Sequence, residues 1–402
     1  MKLSKIFFLP VLVFMSSATY AQDLFKSDDI YAIKSVSLAD VSNDGSSLIF
    51  ITGQADKKED NFNNTLYFLD LKSGKKEVLL QSQGGRGLSF SSVKFSGDSK
   101  SIYFLSSGYK ASGKNNTQVW SLNLSNRIKR RLTNYEGNIS DYDISKDGST
   151  IAFIGNKKSE DQDKTKTPSP IVIDRYQFKR DYEGFLGNDR DHLFVFNTKS
   201  RKTRQITSGQ RDHSYPSISP DGKSIAYVTK EGDFDRHNNW DIFIKNIEDS
   251  DDVKRLTFHD GPDSSPDAGS RPQWSPDGTK IAYIYGGEHS MFWYALNEVS
   301  VLDVETGETD FVTKVFDRNT YMPKWSENGE KLYFILEDNM KSQLVEYSFT
   351  DKTFEKITPE NIYLSWYSSN YYVAGDQLIY QSSTVTTPDE IYLSKNGEIN
   401  PI

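Results

Sequence analysis

The chain has 402 residues, no cysteine, 24 Phe, 23 Tyr and 6 Trp, and a formal net charge of −8. That length admits two or three ordinary domains or one large repeat domain, and the missing cysteines exclude a disulfide framework, a thiol nucleophile and a cysteine-linked lipid. An acidic chain is a poor match to a phosphate backbone, so no nucleic acid is expected among its partners.

Residues 1–21 read as a cleaved secretory signal. Lys2 and Lys5 precede the apolar run "IFFLPVLVFM", and "SSATYA" places Thr19 and Ala21 as the small residues flanking the cut. The run is too short to span a bilayer, so no membrane span is expected after signal cleavage. The mature domain is then 22–402, periplasmic or secreted; loss of Lys2 and Lys5 takes the net charge from −8 to −10.

One phrase organises the mature chain: a serine, an Asp-Gly turn or a near relative, then an apolar strand. Its copies are "SNDGSSLIFIT" from Ser42, "SGDSKSIYFLS" from Ser96, "SKDGSTIAFIG" from Ser145, "SPDGKSIAYVT" from Ser219, "SPDGTKIAYIY" from Ser275 and "SENGEKLYFIL" from Ser326, with a weaker seventh from Ala374. Asp-Gly and Asn-Gly accept the positive φ angles of tight hairpin turns, and the residues after them run apolar like a buried strand. Some 15 to 25 residues after each copy a second strand pair begins, such as "DHLFVFNTKSRKTRQIT" or "NEVSVLDVETGETDFVT". Two hairpins per repeat give a four-stranded sheet of the length typical of a propeller blade. The expected fold is all-β: a seven-bladed β-propeller of four-stranded antiparallel blades, since radial stacking buries both faces of every sheet. Four segments close on an apolar residue and Thr207, Thr257, Thr313 or Thr358, whereas "DEIYLSKNGEINPI" stops short of that threonine. The last blade is therefore expected to be incomplete, lacking its outer edge.

The third repeat carries a long insertion at about 155–190. Its first part is charged; its second holds Tyr176, Phe178, Tyr182 and Phe185, too aromatic for a purely solvated loop, and is the expected partner surface.

Bond chemistry has no visible home. Gly-x-Ser-x-Gly, His-Glu-x-x-His, a P-loop and a dinucleotide fingerprint are all missing. His192, His213, His237, His259 and His289 fall in different repeats rather than at metal-ligand spacing. Asp260, Asp263 and Asp267 in "FHDGPDSSPDAGSRP" lack the spacing of a calcium loop and read as a blade connection, while "GGRGL" at Gly84 reads as a loop. Trp274 and Trp325 hold a fixed place before Ser275 and Ser326, which suits packing between blades. "RIKRR", Arg127 to Arg131, reads as a solvated strand face. No catalytic, cofactor-binding or metal-binding residue is assigned, and no cofactor is expected.

"SPDGKSIAYVT" and "QWSPDGTKIAYI", each preceded by a strand ending in "IT" or "LT", resemble the repeats shared by TolB and the prolyl oligopeptidase family of serine peptidases. The stretch from Pro170 to Thr229 and "YQSSTVTTPDEIYL", Tyr380 to Leu393, resemble the acylaminoacyl-peptidase and dipeptidyl-peptidase branch. That resemblance implies a propeller that gates small peptides into an α/β-hydrolase domain carrying the Ser, Asp and His triad, none of which maps onto this chain. The dipeptidyl branch holds the substrate amino terminus with neighbouring glutamates; no Glu-Glu pair occurs here, which tilts the expectation toward the acylaminoacyl type. It also implies that "EINPI" lies where such a chain completes its last blade and crosses into the hydrolase. Expected partners are peptide substrates or a protein partner such as a hydrolase domain. The alternatives are a stand-alone TolB-like periplasmic binding propeller and a polysaccharide-acting enzyme on the same scaffold, with His213 or "HDGPD" as the place to look.

Overall fold

A computed structural model describes residues 25–83, 86–108, 116–156, 170–181, 184–249, 253–365, 370–375 and 377–402. The expected signal, the first part of the insertion, Tyr182 and Gly84 lie outside them. Seven antiparallel sheets follow one another along the chain, within residues 34–87, 91–131, 138–205, 213–255, 273–310, 320–356 and 371–401. Each is built from strands in chain order, the first nearest the propeller axis and the last at the rim, and in blade three a separate hairpin of Lys179–Arg180 with Gly184–Phe185 intervenes. The described helical turns are short and of the 3-10 type: Ser27–Tyr31, Pro266–Ala268, His289–Tyr294 and Lys314–Phe316.

The serine phrase works as a local lock. The hydroxyls of Ser42, Ser96, Ser145, Ser219 and Ser275 each donate to the Asp two residues on, at 2.6 to 2.7 Å. Each serine oxygen in turn accepts the N–H five residues on, at 2.9 to 3.0 Å, where the second strand begins. The Asp accepts the N–H two beyond itself, so the serine and aspartate side chains are partnered within six residues. Gly222 and Gly278 sit at φ +73° and +75°, which is why glycine follows the Asp.

The closing threonine also has a definite task. Thr133, Thr207, Thr257, Thr313 and Thr358 are buried just past the outer strand, and each Oγ1 accepts the backbone N–H of a third-strand residue 14 or 15 positions earlier, at 2.8 to 3.0 Å. The threonine gives that buried amide its partner, and in blade five Val299 has a second one in Thr320 Oγ1 at 2.9 Å. In blade seven the residue before this place is Ile402, whose N–H reaches the Ile391 carbonyl as those of Leu132 and Ile357 reach Val119 and Leu344.

Blade seven corrects one expectation. Its outer strand is present, Glu398–Pro401, paired antiparallel to Glu390–Lys395. Outer strands are short in blades two to six, Lys129–Arg131 and Thr309–Asp310 being shorter still, so four residues suffice. "GGRGL" likewise does more than loop: Arg86–Gly87 adds a fifth strand to blade one.

Cores lie between blades rather than within them. Ala152, Ile154, Leu193 and Val195 of blade three meet Ile218, Ile225, Tyr227 and Phe243 of blade four. The second strands are covered on both sides and therefore read as unbroken apolar runs. Among the described residues no strand is shared where blade seven meets blade one. That seam is closed by Leu38, Val41 and Leu48 against Ile379 and Ile391, and by Gln381 Oε1 accepting the Leu38 N–H at 3.0 Å.

Candidate functional site

Antiparallel order sorts the connections onto two faces. Serine turns and the links from third to fourth strand lie on one, the turn face. The links from second to third strand and from blade to blade lie on the other, the connection face.

Between the faces runs a channel lined by the innermost strands. The residue two before the serine reaches into the next blade, and its charge selects the partner. Asp40 and Asp143 accept the N–H of Phe95 and Ile218, both at 2.8 Å. Lys94 and Lys324 donate instead to the carbonyls of Tyr142 and Tyr371, at 3.3 and 2.6 Å. Arg271 crosses from blade five, giving 2.9 Å to the Pro216 carbonyl and 2.7 Å to Asp141. Burial pushes the Asp40 carboxyl up and lowers the Lys324 ammonium to about 8, while Asp40 pulls Lys324 the other way. Lys94, Arg271 and Lys324 thus offset Asp40, Asp141 and Asp143, and the ring carries no net charge for a ligand to neutralise. It stitches blades together, and sequence reading missed it. Its signal was a charged residue two before the serine of an innermost strand, as in "ADVS" and "PKWS".

Trp274 and Trp325 follow the expected packing role. Their indole N–H groups donate to the carbonyls of Ser217 and Gln273 in the preceding blade, at 2.9 and 3.0 Å.

The connection face gathers all five histidines, which sequence spacing had left scattered. The rings of His192 and His213 stand 5.4 Å apart, and burial pushes His213 down to about 4. His237 bonds the Glu231 carbonyl at 2.7 Å, and His289 lines a cleft. His259 donates from Nε2 to the Gly286 carbonyl at 2.7 Å, and its Nδ1 is hydrogen-bonded to Asp263 at 3.1 Å. Burial raises Asp263 to about 6; burial opposes the His259 charge too, yet the bond to Asp263 leaves its pKa raised. Gly261 is required there, since a Cβ would fall 2.4 Å from both the Gly287 carbonyl oxygen and His259 Nε2. "HDGPD" is therefore a blade connection, as expected, pinned by a half-buried imidazole on a buried carboxylate. Among the described residues no group of three His, Asp or Glu is placed to hold a metal, and no serine hydroxyl bonds a histidine.

The second half of the insertion folds over blade four to enclose a cleft of about 740 Å³. Arg175 anchors it, paired with Asp235 at 2.6 Å and bonded to the Gly187 carbonyl at 2.8 Å. Arg236 lies 4.5 Å from the Tyr176 ring centroid. Phe178, Trp240, Asp212, Asp267 and Lys230 line the interior. Burial lowers the Lys230 pKa, and its ammonium donates to the His237 carbonyl at 3.0 Å.

Large exposed apolar side chains are divided unequally between the faces. Ile171, Val172, Ile173, Tyr176, Phe178 and Phe185 of the insertion are exposed on the connection face, with Phe258, Met291, Tyr294, Val315, Met340 and Val385 from other connections. Among the described residues none lies on a serine turn, and Ile128 alone lies in a link from third to fourth strand. Exposed apolar surface gathered on one side of a molecule marks an interaction site.

No family model matches the sequence. Two relatives are an uncharacterized peptidase, YuxL, of Bacillus subtilis, 25% identical over 58% of this chain and 33% of its own, and dipeptidyl-peptidase 5 of Porphyromonas gingivalis, 26% identical over 47% and 26%. The chain thus spans a third or less of either relative's length. Among solved structures, Pyrococcus horikoshii acylaminoacyl peptidase superposes with a TM-score of 0.69 at 18% identity, over 92% of this chain and 52% of that one. The propeller domain of the Trilobed protease from Pyrococcus furiosus, described as having an open velcro topology, gives 0.63 at 16%, over 92% and 97%. An oligogalacturonate lyase in complex with manganese gives 0.63 at 15%, over 90% of each, a likeness of fold alone. The class is therefore a seven-bladed β-propeller of antiparallel blades. Its sequence relatives are peptidases, and its structural neighbours include the propellers of acylaminoacyl peptidases.

Proposed function

We propose that this chain is the substrate-gating propeller of an exported serine peptidase of the prolyl oligopeptidase family, with residues 1–21 removed on export and 22–402 forming the cap. The nucleophile, base and acid belong to an α/β-hydrolase unit that packs on the connection face, and the substrates are peptides. The observation that carries this reading is the apolar crowding of that face, set beside kinship to peptidases. Burying side chains such as Val172 and Tyr294 in an interface contributes about 25 cal/mol per Å² of apolar area. The self-neutral channel leaves the cleft under the insertion as the roomier approach for a peptide.

The test is to precipitate the native protein from an envelope fraction with antiserum against residues 22–402 and treat the precipitate with a fluorophosphonate probe. A labelled serine hydrolase in the precipitate is expected. No label, or peptide cleavage by the purified 402-residue chain alone, sinks the proposal.

A further inference from the structure

The rim carries a charge pattern that neither blade packing nor a cap requires. Outer strands and the turns leading into them are the exposed edges of the blades. Short length and charge protect such edges from pairing with other chains, and either sign serves that purpose. Here the signs are segregated.

In blade one, residues 71–81 hold Lys72, Lys75 and Lys76. In blade two, residues 124–133 hold Arg127, Lys129, Arg130 and Arg131. In blade three, residues 198–206 hold Lys199, Arg201, Lys202 and Arg204. All eleven are exposed, and Glu77 is the one acid among these three segments. The matching segments of blades five to seven, residues 304–312, 349–357 and 396–402, hold six acids and two lysines. An acidic protein has thus placed a single-sign basic belt around three adjacent blades, a pattern that attracts a polyanion rather than one that merely solvates an edge.

Several of these cations are already fixed in place. Arg201 donates to the Leu132 carbonyl of blade two at 3.2 Å, Arg127 pairs with Glu77 of blade one, and Arg204 reaches the Ile247 carbonyl of blade four. Bonds to neutral carbonyls leave the positive charge uncompensated. Arg131 and Arg201 also flank a crevice of about 500 Å³ between blades two and three, with Thr133, Asn134 and Thr203.

We infer that this belt is a docking surface for an acidic polypeptide segment lying across the outer strands of blades one to three. The belt runs round a convex flank, which a flexible chain can follow and a flat bilayer cannot. Val78 and Ile128 are its exposed aliphatic side chains, too few for a membrane-inserting face. No exposed aromatic ring stands in these three segments to stack on a sugar. A peptide of spaced Asp and Glu needs neither, only guanidinium and ammonium groups in rows.

The experiment titrates the purified chain into a fluorescent 20-residue Glu-rich peptide, following anisotropy at 50 and 150 mM salt. Polygalacturonate of equal charge and vesicles containing anionic lipid serve as competitors. Expected are binding that weakens with salt and a loss of at least tenfold in R130E/K199E/K202E. The blade-six variant K352E/K356E should bind as the parent does, and all three proteins should give the same circular dichroism spectrum. Failure of the peptide to bind at 50 mM salt, equal binding by the belt variant, or tighter binding of polygalacturonate or vesicles than of peptide overturns the inference.

Discussion

The turn face and the connection face are built from the same seven sheets, yet they differ in almost every physical respect. On the turn face a serine, an aspartate and a backbone amide close the same small network in one blade after another. On the connection face no two blades are alike: a long insertion in blade three, a pinned histidine between blades four and five, exposed Tyr294 in blade five and Val385 in blade seven. Repetition is where the fold is secured, and variation is where a partner can be distinguished.

Acid should separate the faces most strongly. Burial holds His213 at about 4 in the folded protein against an ordinary 6.5, so the unfolded chain binds the extra proton first. The stability this site contributes is fully present above pH 6.5 and falls as pH drops toward 4, by roughly 3 kcal/mol. His192 shifts in the same direction, through burial first; His259, raised by Asp263, works oppositely and loses its contribution as pH rises. The turn-face carboxylates shift downward, chiefly through their serine hydroxyls, with Asp147 lowered to about 2, so they keep their charge across that window. Hydrogen exchange at pH 7 and pH 4.5 should show amides near residues 206–213 opening before those of the serine turns, and His213→Gln should flatten the fall in urea midpoint. Uniform opening of both faces would break the distinction.

The turn lock itself should be worth somewhat less. Ser275→Ala removes the acceptor for the Lys280 N–H and the donor to Asp277 in a buried position, an expected loss of about 2 kcal/mol by chemical denaturation. A change below half a kilocalorie would mean that the repeated phrase is not what secures the turn. The smallest stability effect should come from the connection face. Val172→Ser and Tyr294→Ser together should move the unfolding free energy by less than about 0.5 kcal/mol, because both side chains are exposed. The same pair should weaken capture of the labelled hydrolase if that face is the docking surface, and unchanged capture would move the partner elsewhere.

Sequence reading found what is settled within a few residues. The serine phrase, the strands after it and the packing tryptophans could all be read, because their hydrogen bonds and alternation are local. The outer strand Glu398–Pro401 was misjudged because its pairing depends on the neighbouring strand Glu390–Lys395 and not on the missing threonine. The insertion was legible as an aromatic surface, but its anchor, Arg175 to Asp235, spans 60 positions and had no local sign.

The sequence by itself determined that seven similar hairpin pairs would form, since the turns partner their own serine and aspartate side chains and each apolar run must be covered on two sides. Only the tertiary structure decided which charges meet. Closing a ring of blades sets Asp40 beside Phe95, carries Arg271 across the channel to Asp141, gathers five histidines on one face and joins three basic edges into a belt. Those outcomes depend on the angle at which one blade follows the next, a quantity fixed by packing between sheets and invisible in any single repeat.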